Sequence, residues 1–243
     1  MTPKKRVLLT GAAGNVGTNL RRHWQDRYEL ILSDIRPVHD IAAHETFIHV
    51  DITDLEELAK ACEGVDALVH LAADPSPAAL FDKTLLPLNV IGAYNGFEAA
   101  RIAGCGRIIF ASSVNAILGH QDGPPVDWDV PVRPQNVYGA TKCWGEALGR
   151  VYSEQHGLCC ICVRLGAVAY EPDKPCDPDE NNIGISPRDQ AQFLGRCIEV
   201  QDLNFAIVHG VSRHRHCWMS LDSTCKVLDY EPQDGTAIRD NAG

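Results

Sequence analysis

The sequence predicts an α/β protein built on a doubly wound parallel sheet of about seven strands, with a small C-terminal substrate-capping part. Three observations carry this. Short apolar runs alternate with longer segments of helical period along the whole chain. The runs are continuously apolar rather than alternating, as strands covered on both faces are. The first run passes directly into a glycine-rich turn that opens a helix.

In chain order the strands are RVLLT (6–10), LILSD (30–34), FIHVD (47–51), ALVHLA (67–72), RIIFASS (107–113), ICVRLG (161–166) and NFAIVHG (204–210). Between them lie helical segments at 15–26, 54–64, 86–104, 137–157 and 186–200. The last opens on Ser186 as N-cap, Pro187 at the first helical position and Asp189 at the third, a strong start signal. Two long irregular stretches, 114–137 and 167–185, each follow a strand. Ligands of open α/β sheets bind beyond the carboxyl ends of the strands, so these are the expected substrate loops. With no repeat, low-complexity tract or linker, residues 1–243 read as a single domain.

Bulk properties narrow the function. The chain has 243 residues, 45% of them apolar, and a formal charge of −10, with no basic block longer than KKR at 4–6. That excludes a nucleic-acid or anionic-membrane surface and favours a small-molecule partner. No run approaches the length of a membrane span and the N-terminal apolar stretch is too short for a signal peptide, so a cytoplasmic location is expected. The ten cysteines lack zinc-type spacing and read as reduced core residues. His214, His216 and Cys217 in HRHC have no second ligand cluster nearby and read as a polar loop, so no metal is expected.

The first turn, GAAGNVG, spaces Gly11, Gly14 and Gly17 at three-residue intervals, with Ala13, Asn15 and Val16 between and after them. Such glycines allow a tight turn, close approach of backbone to a pyrophosphate, and close packing of helix on strand. The phosphates would rest on the helix N-terminus. Asp34 ends the second strand, where a carboxylate accepts bonds from both ribose hydroxyls of an adenosine and repels a 2′-phosphate. NAD is therefore the expected cofactor, although Arg36 stands close enough in sequence to serve a 2′-phosphate. Asp51 and Ile52 are placed to flank the adenine. Leu71, Ala72 and Ala73 end the fourth strand with residues that let a cofactor pass close to the backbone.

The fifth strand ends in ASSVNA, and the next helix opens with YGATK. A strand-end hydroxyl, Ser113, thus faces Tyr138 and Lys142, which lie one helical turn apart. Hydride transfer from an alcohol carbon requires loss of the hydroxyl proton, and a phenol with a pKa of about 10 is a weak base near neutrality. A neighbouring ammonium favours the phenolate, so Lys142 is expected to lower the Tyr138 pKa and to bind ribose.

These motifs, TGAAGNVG, Asp34, HLAA, LNVIGAYN, FASSVN and YGATK in this order, resemble the extended short-chain dehydrogenase/reductase superfamily, in its NAD-dependent epimerase/dehydratase branch. The resemblance covers essentially the whole chain and implies a Rossmann fold, NAD, a catalytic Ser113 rather than Ser112, Asn115 near the substrate, and Asn89 close to the cofactor. It also implies a homodimer paired through the helices at 85–103 and 138–157. Only 77 residues follow position 166, too few for a region that grips a nucleoside diphosphate. The chain looks most like uronate dehydrogenases and related small-sugar dehydrogenases, which oxidise a cyclic sugar at its anomeric carbon to a lactone. A sugar-nucleotide epimerase or dehydratase, and a non-catalytic dinucleotide sensor, are the alternatives.

Departures fall at the substrate end. Uronate dehydrogenases carry a serine after RxG and an arginine in the following loop; here those positions hold Ala167 and, near the second, Cys176. Lys174 is the nearest cation, yet Asp173, Asp177, Asp179 and Glu180 make the loop acidic. A neutral aldose and a uronic acid both remain open. Ser76 and Arg164 are further contact candidates, Arg164 equally a partner for a carboxylate.

Overall fold

Strand β1 (Arg6–Thr10) leads through the glycine turn into α1 (Asn15–Trp24), and β2 (Glu29–Asp34) returns beside it in the computed structural model, which describes residues 3–168 and 182–235. Then follow β3 (Glu45–His49), α2 (Leu55–Ala61), β4 (Ala67–His70), a π-helical segment (Phe81–Ile91) continuing into α3 (Gly92–Ile102), and β5 (Arg107–Ser113). The long helix α4 (Val137–His156) precedes β6 (Cys159–Leu165). A two-stranded ribbon, β7 (Ala167–Val168) with β8 (Gly184–Ile185), then α5 (Pro187–Glu199), β9 (Phe205–Gly210) and α6 (Asp222–Leu228) complete the described chain.

The seven principal strands form one sheet in the order β3-β2-β1-β4-β5-β6-β9, and every pair is parallel. Registers such as Leu9↔Leu32, Leu9↔Val69 and Ser113↔Leu165 bring the carboxyl ends together along one edge. The chain winds outward one way from β1 and the other way from β4, so the crevice of a doubly wound sheet opens between their ends.

Alternation along each strand feeds two cores, because successive side chains point to opposite faces. Val7 and Leu9 of β1 pack with Leu20, Trp24, Phe193 and Ile198 of α1 and α5. Leu8 packs with Leu58, Phe97 and Leu148 of α2, α3 and α4. In β6, Ile161 and Val163 go to the first face and Cys160 and Cys162 to the second; these cysteines are free and fully buried, small hydrophobes in effect.

Ser186 is the N-cap the sequence predicted for α5, and Asn136 caps α4 without having been singled out. Ser186 Oγ accepts the Asp189 N–H at 3.1 Å, and Asn136 Oδ1 accepts the Gly139 N–H at 2.7 Å at the head of α4. Gly157, at φ +67°, ends α4 in the left-handed conformation glycine tolerates best. The helix expected from residue 86 begins earlier, at Phe81, in a widened π form. Pro87 has no N–H to give to an α-helical ladder, and i→i+5 bonds such as Gly92 N–H to the Pro87 carbonyl take over.

The long stretch 114–137 is held by short 3-10 turns and by a bridge between Val126 and Met219. Val114, Ile117, Val211, Trp218 and Met219 form a small third core beneath it. Sequence periodicity did not predict the two-residue strands β7 and β8, which are too short to carry a period, or α6. Among the described residues no helix is long and apolar enough to cross a membrane.

Candidate active site

The glycine turn is built for close approach. Gly11 sits at φ +72°, and a Cβ there would lie 2.9 Å from the Ala72 nitrogen. A Cβ on Gly17 would meet the Ala12 Cα and carbonyl oxygen at 2.7 Å, so α1 packs on the turn only because that side chain is absent. Gly14 donates its N–H to the Gly11 carbonyl at 2.9 Å and caps α1 with no side chain over the helix N-terminus. The result is a cradle of backbone with a favourable dipole for phosphate.

Thr10, which the sequence did not single out, fastens this turn to the end of β4. Its hydroxyl accepts the Leu71 and Ala72 N–H groups at 3.2 and 3.3 Å and lies 3.0 Å from His70 Nδ1. Burial pushes His70 down to about 4, so the ring is neutral and the Thr10 hydroxyl donates to Nδ1.

Asp34 Oδ2 accepts the Ala13 N–H at 3.0 Å, and Oδ1 accepts the Arg36 N–H at 2.9 Å. Arg36 Nε lies 3.4 Å from the same Oδ1, so its cation leans on Asp34 while the side chain stays largely exposed. Asp51 Oδ1 accepts both the N–H and hydroxyl of Thr53, forming the turn before α2, and still lines the cleft beside Ile52. Asn95 holds this turn, donating to the carbonyls of Ile52 and Thr53 at 2.9 and 3.0 Å.

One cleft of about 880 Å³ runs from Gly11, Gly14, Asn15 and Val16 past Asp34, then Leu71, Ala72 and Ala73, to Ser113, Tyr138 and Lys142. Among the described residues, its far end is lined by Asn115, Leu118, Ala167, Val168 and Ile183. Sheet order explains the sequence of these residues: the ends of β3 and β2 supply one side, those of β5 and β6 the other.

Tyr138 and Lys142 are both buried, on the first turns of α4. Lys142 Nζ donates to the Ala111 carbonyl at 2.9 Å, which staples α4 to the end of β5. Burial pulls its pKa down to about 8. Burial likewise pushes the Tyr138 phenol above its ordinary value, opposed by a hydrogen bond with Ser113 and reinforced by the negative charge of Asp74. The expected lowering by Lys142 is therefore not what dominates: Nζ lies 5.5 Å from the ring centroid and is spent on a carbonyl. Ser113 Oγ accepts the Asn115 N–H and side-chain N–H, each at 3.2 Å, and Asn115 Oδ1 accepts from Asn136 Nδ2 at 2.8 Å. Asn136 thus orients Asn115 and caps the helix bearing Tyr138 at once; its place two residues before Tyr138 was the available signal.

Other expected residues stand farther back. Asn89 is buried behind the cleft, accepting the Asp74 N–H at 2.8 Å and donating to the Asp74 carbonyl and Thr141 Oγ1, so it fixes the loop after β4 to α4. Ser76 is exposed on the rim, bonded to the Ala78 N–H, while Pro75 faces the cleft. Arg164 pairs with Glu146. Lys174 and Cys176 lie outside the described residues. His214 Nε2 lies 2.8 Å from the Gly184 carbonyl and Cys217 Sγ 3.2 Å from that of Met219; no cluster able to hold a metal occurs among the described residues.

The profile of the NAD-dependent epimerase/dehydratase family matches residues 7–176. The chain belongs to this family. NAD is the cofactor of this epimerase/dehydratase family, and the side-chain-free cradle at Gly11 and Gly17 with the acid of Asp34 fits a dinucleotide. Among its relatives, NAD-dependent glucose-6-phosphate dehydrogenase of Haloferax volcanii is 34% identical over 95% of this chain and 94% of its own. Uronate dehydrogenase of Pseudomonas putida is 33% identical over 97% of this chain and 86% of its own. A solved structure of uronate dehydrogenase from Agrobacterium tumefaciens, a variant complexed with NAD, superposes with a TM-score of 0.83 at 31% identity, covering 95% of this chain and 85% of that one.

Proposed function

We propose that the protein is an NAD-dependent sugar dehydrogenase that oxidises a free aldose or uronic acid at its anomeric carbon to the lactone. The observation that carries this is the burial of Ser113, Tyr138 and Lys142 at one end of a cleft whose other end is the glycine cradle and Asp34. The sugar dehydrogenases among the relatives support it.

Bound NAD would supply the acceptor for a hydride leaving the anomeric carbon. The chain's own residues handle the proton. Tyr138 Oη takes it from the anomeric hydroxyl, Ser113 Oγ holds the substrate oxygen in line, and Lys142 supplies positive charge and a ribose contact. Gly11, Ala13, Gly14, Asn15, Val16 and Gly17 hold the pyrophosphate; Asp34, Asp51 and Ile52 the adenosine; and Leu71, Ala72 and Ala73 the middle of the cofactor. Asn89 supports that wall from behind. Asn115, Ala167, Ser76 and Lys174 are assigned to the sugar side.

Mixing purified protein, NAD and a panel of aldoses and uronic acids should produce NADH absorbance. Replacing Tyr138 by Phe should lower kcat by roughly 10²–10⁴, the usual worth of a positioned acid or base. Absence of NADH with every sugar, or full activity of Tyr138→Phe, rejects the reading.

The same reading makes the chain a single cytoplasmic domain that pairs into a homodimer. Free buried cysteines suit a reducing compartment. Exposed Ile91, Tyr94 and Ile102 along the π segment and α3, with Val137, Trp144 and Val151 on α4, offer apolar faces for pairing. A solution mass near twice 26.6 kDa is expected.

A further inference from the structure

Charge is unevenly distributed along the cleft. Asp34, Arg36 and Asp51 line its β2 and β3 side, and Lys142 is buried with Nζ on the Ala111 carbonyl. Among the described residues, the β5 and β6 side carries the apolar side chains of Pro75, Val114, Leu118, Ala167, Val168 and Ile183. Polar side chains gather at one place there, Ser113, Asn115 and Tyr138. Arg164, on β6 itself, is turned into the protein against Glu146 and lines no part of the cleft.

We propose, resting on the sugar-dehydrogenase reading above, that the substrate is a neutral aldose whose C5 carries hydrogen or a methyl group rather than a carboxylate or a phosphorylated hydroxymethyl group. C1 and C5 of a pyranose share the ring oxygen. A ring with its anomeric hydroxyl at Tyr138 and Ser113 therefore presents its C5 substituent to the same end of the cleft. An apolar wall accepts hydrogen or methyl there, and an anion would give up water for side chains that cannot bond it. Ala167, with no hydroxyl to offer, fits the same preference.

The test compares kcat/KM of the full chain with NAD for arabinose and fucose against glucuronate and glucose 6-phosphate. The neutral sugars should lead by at least about tenfold, equivalent to about 1.4 kcal/mol. An anionic sugar used as well as or better than both neutral ones overturns the inference. Leu118→Arg, at a half-buried position on the apolar wall, supplies a cation, and should move the ratio toward the anionic sugars by about tenfold or more. A folded Leu118→Arg enzyme with an unchanged ratio overturns the assignment of that wall to the C5 substituent. No NADH from any of the sugars, with NAD binding retained, is a different failure: it removes the dehydrogenase reading itself.

Discussion

Arg164 grips Glu146 through two parallel hydrogen bonds, Nε to Oε1 and Nη2 to Oε2, both 2.9 Å, with both side chains almost wholly excluded from water. Glu146 lies one turn beyond Lys142 on α4, and Arg164 lies on β6. Ser112 Oγ donates to Glu146 Oε1 at 2.6 Å, and Arg164 Nη1 donates to the Trp128 carbonyl at 3.0 Å. One ion pair thereby ties the strand of Ser113, the helix of Tyr138 and the 114–137 loop together.

Removing one partner strands a buried charge, which costs about 3–5 kcal/mol. Arg164→Leu and Glu146→Leu should each lower unfolding free energy by about that amount, read from urea denaturation. The double variant should lose clearly less than the sum, because no charge is left unpaired. Additive losses would mean that the two side chains do not act as a pair.

This pair also shows where the sequence was legible and where it was not. Strands and helices with a full period, such as Arg6–Thr10 and Val137–His156, were readable because burial on known faces imposes the pattern. Gly11, Asp34, Ser113, Tyr138 and Lys142 could be named from sequence because each sits at a strand end or helix start, and the structure brings all five to one cleft. Whether Arg164 met substrate or a carboxylate could not be decided, since its partner is 18 residues away and set by the packing of α4 on β6. Thr10 and Asn95 were missed for the same reason. Their roles are bonds to backbone groups 42 to 62 residues distant, which leave no local pattern.

Lys142 stores a pH-dependent penalty. Its pKa falls from 10.5 to about 8 through burial, so between those values the unfolded chain binds more protons than the folded one. Lys142 should therefore contribute stability that rises by about 3 kcal/mol as pH increases from about 8 to 10.5, against the opposite slope of the buried thiols and phenols, and it should add no slope at lower pH. In Lys142→Met that rise should vanish. Near neutrality the variant gains the relieved penalty of about 3 kcal/mol and loses about 1–3 kcal/mol from the unsatisfied Ala111 carbonyl, so it should be no less stable than the parent. Denaturation across this pH range, parent against variant, checks both statements. Equal slopes would place the titration elsewhere.

On the proposed reading, Asp34 and Arg36 together set the preference between NAD and NADP. The carboxylate accepts two backbone N–H groups and keeps lone pairs for ribose, and its negative charge draws the Arg36 guanidinium to 3.4 Å. Asp34→Asn preserves an acceptor oxygen for the turn but removes the charge. Arg36 then has no anion to lean on and is free to meet a 2′-phosphate, gaining a charge-assisted bond worth about 1.5–3 kcal/mol. The same change removes the repulsion of that phosphate and weakens the ribose bonds of NAD. The kcat/KM ratio of NADP to NAD should therefore rise by about 10²-fold, with each 1.4 kcal/mol contributing a factor of ten. Adding Arg36→Ala to Asp34→Asn should return most of that gain. If Asp34→Asn alone leaves NADP no better used, neither the Asp34 charge nor Arg36 sets the choice between the two cofactors.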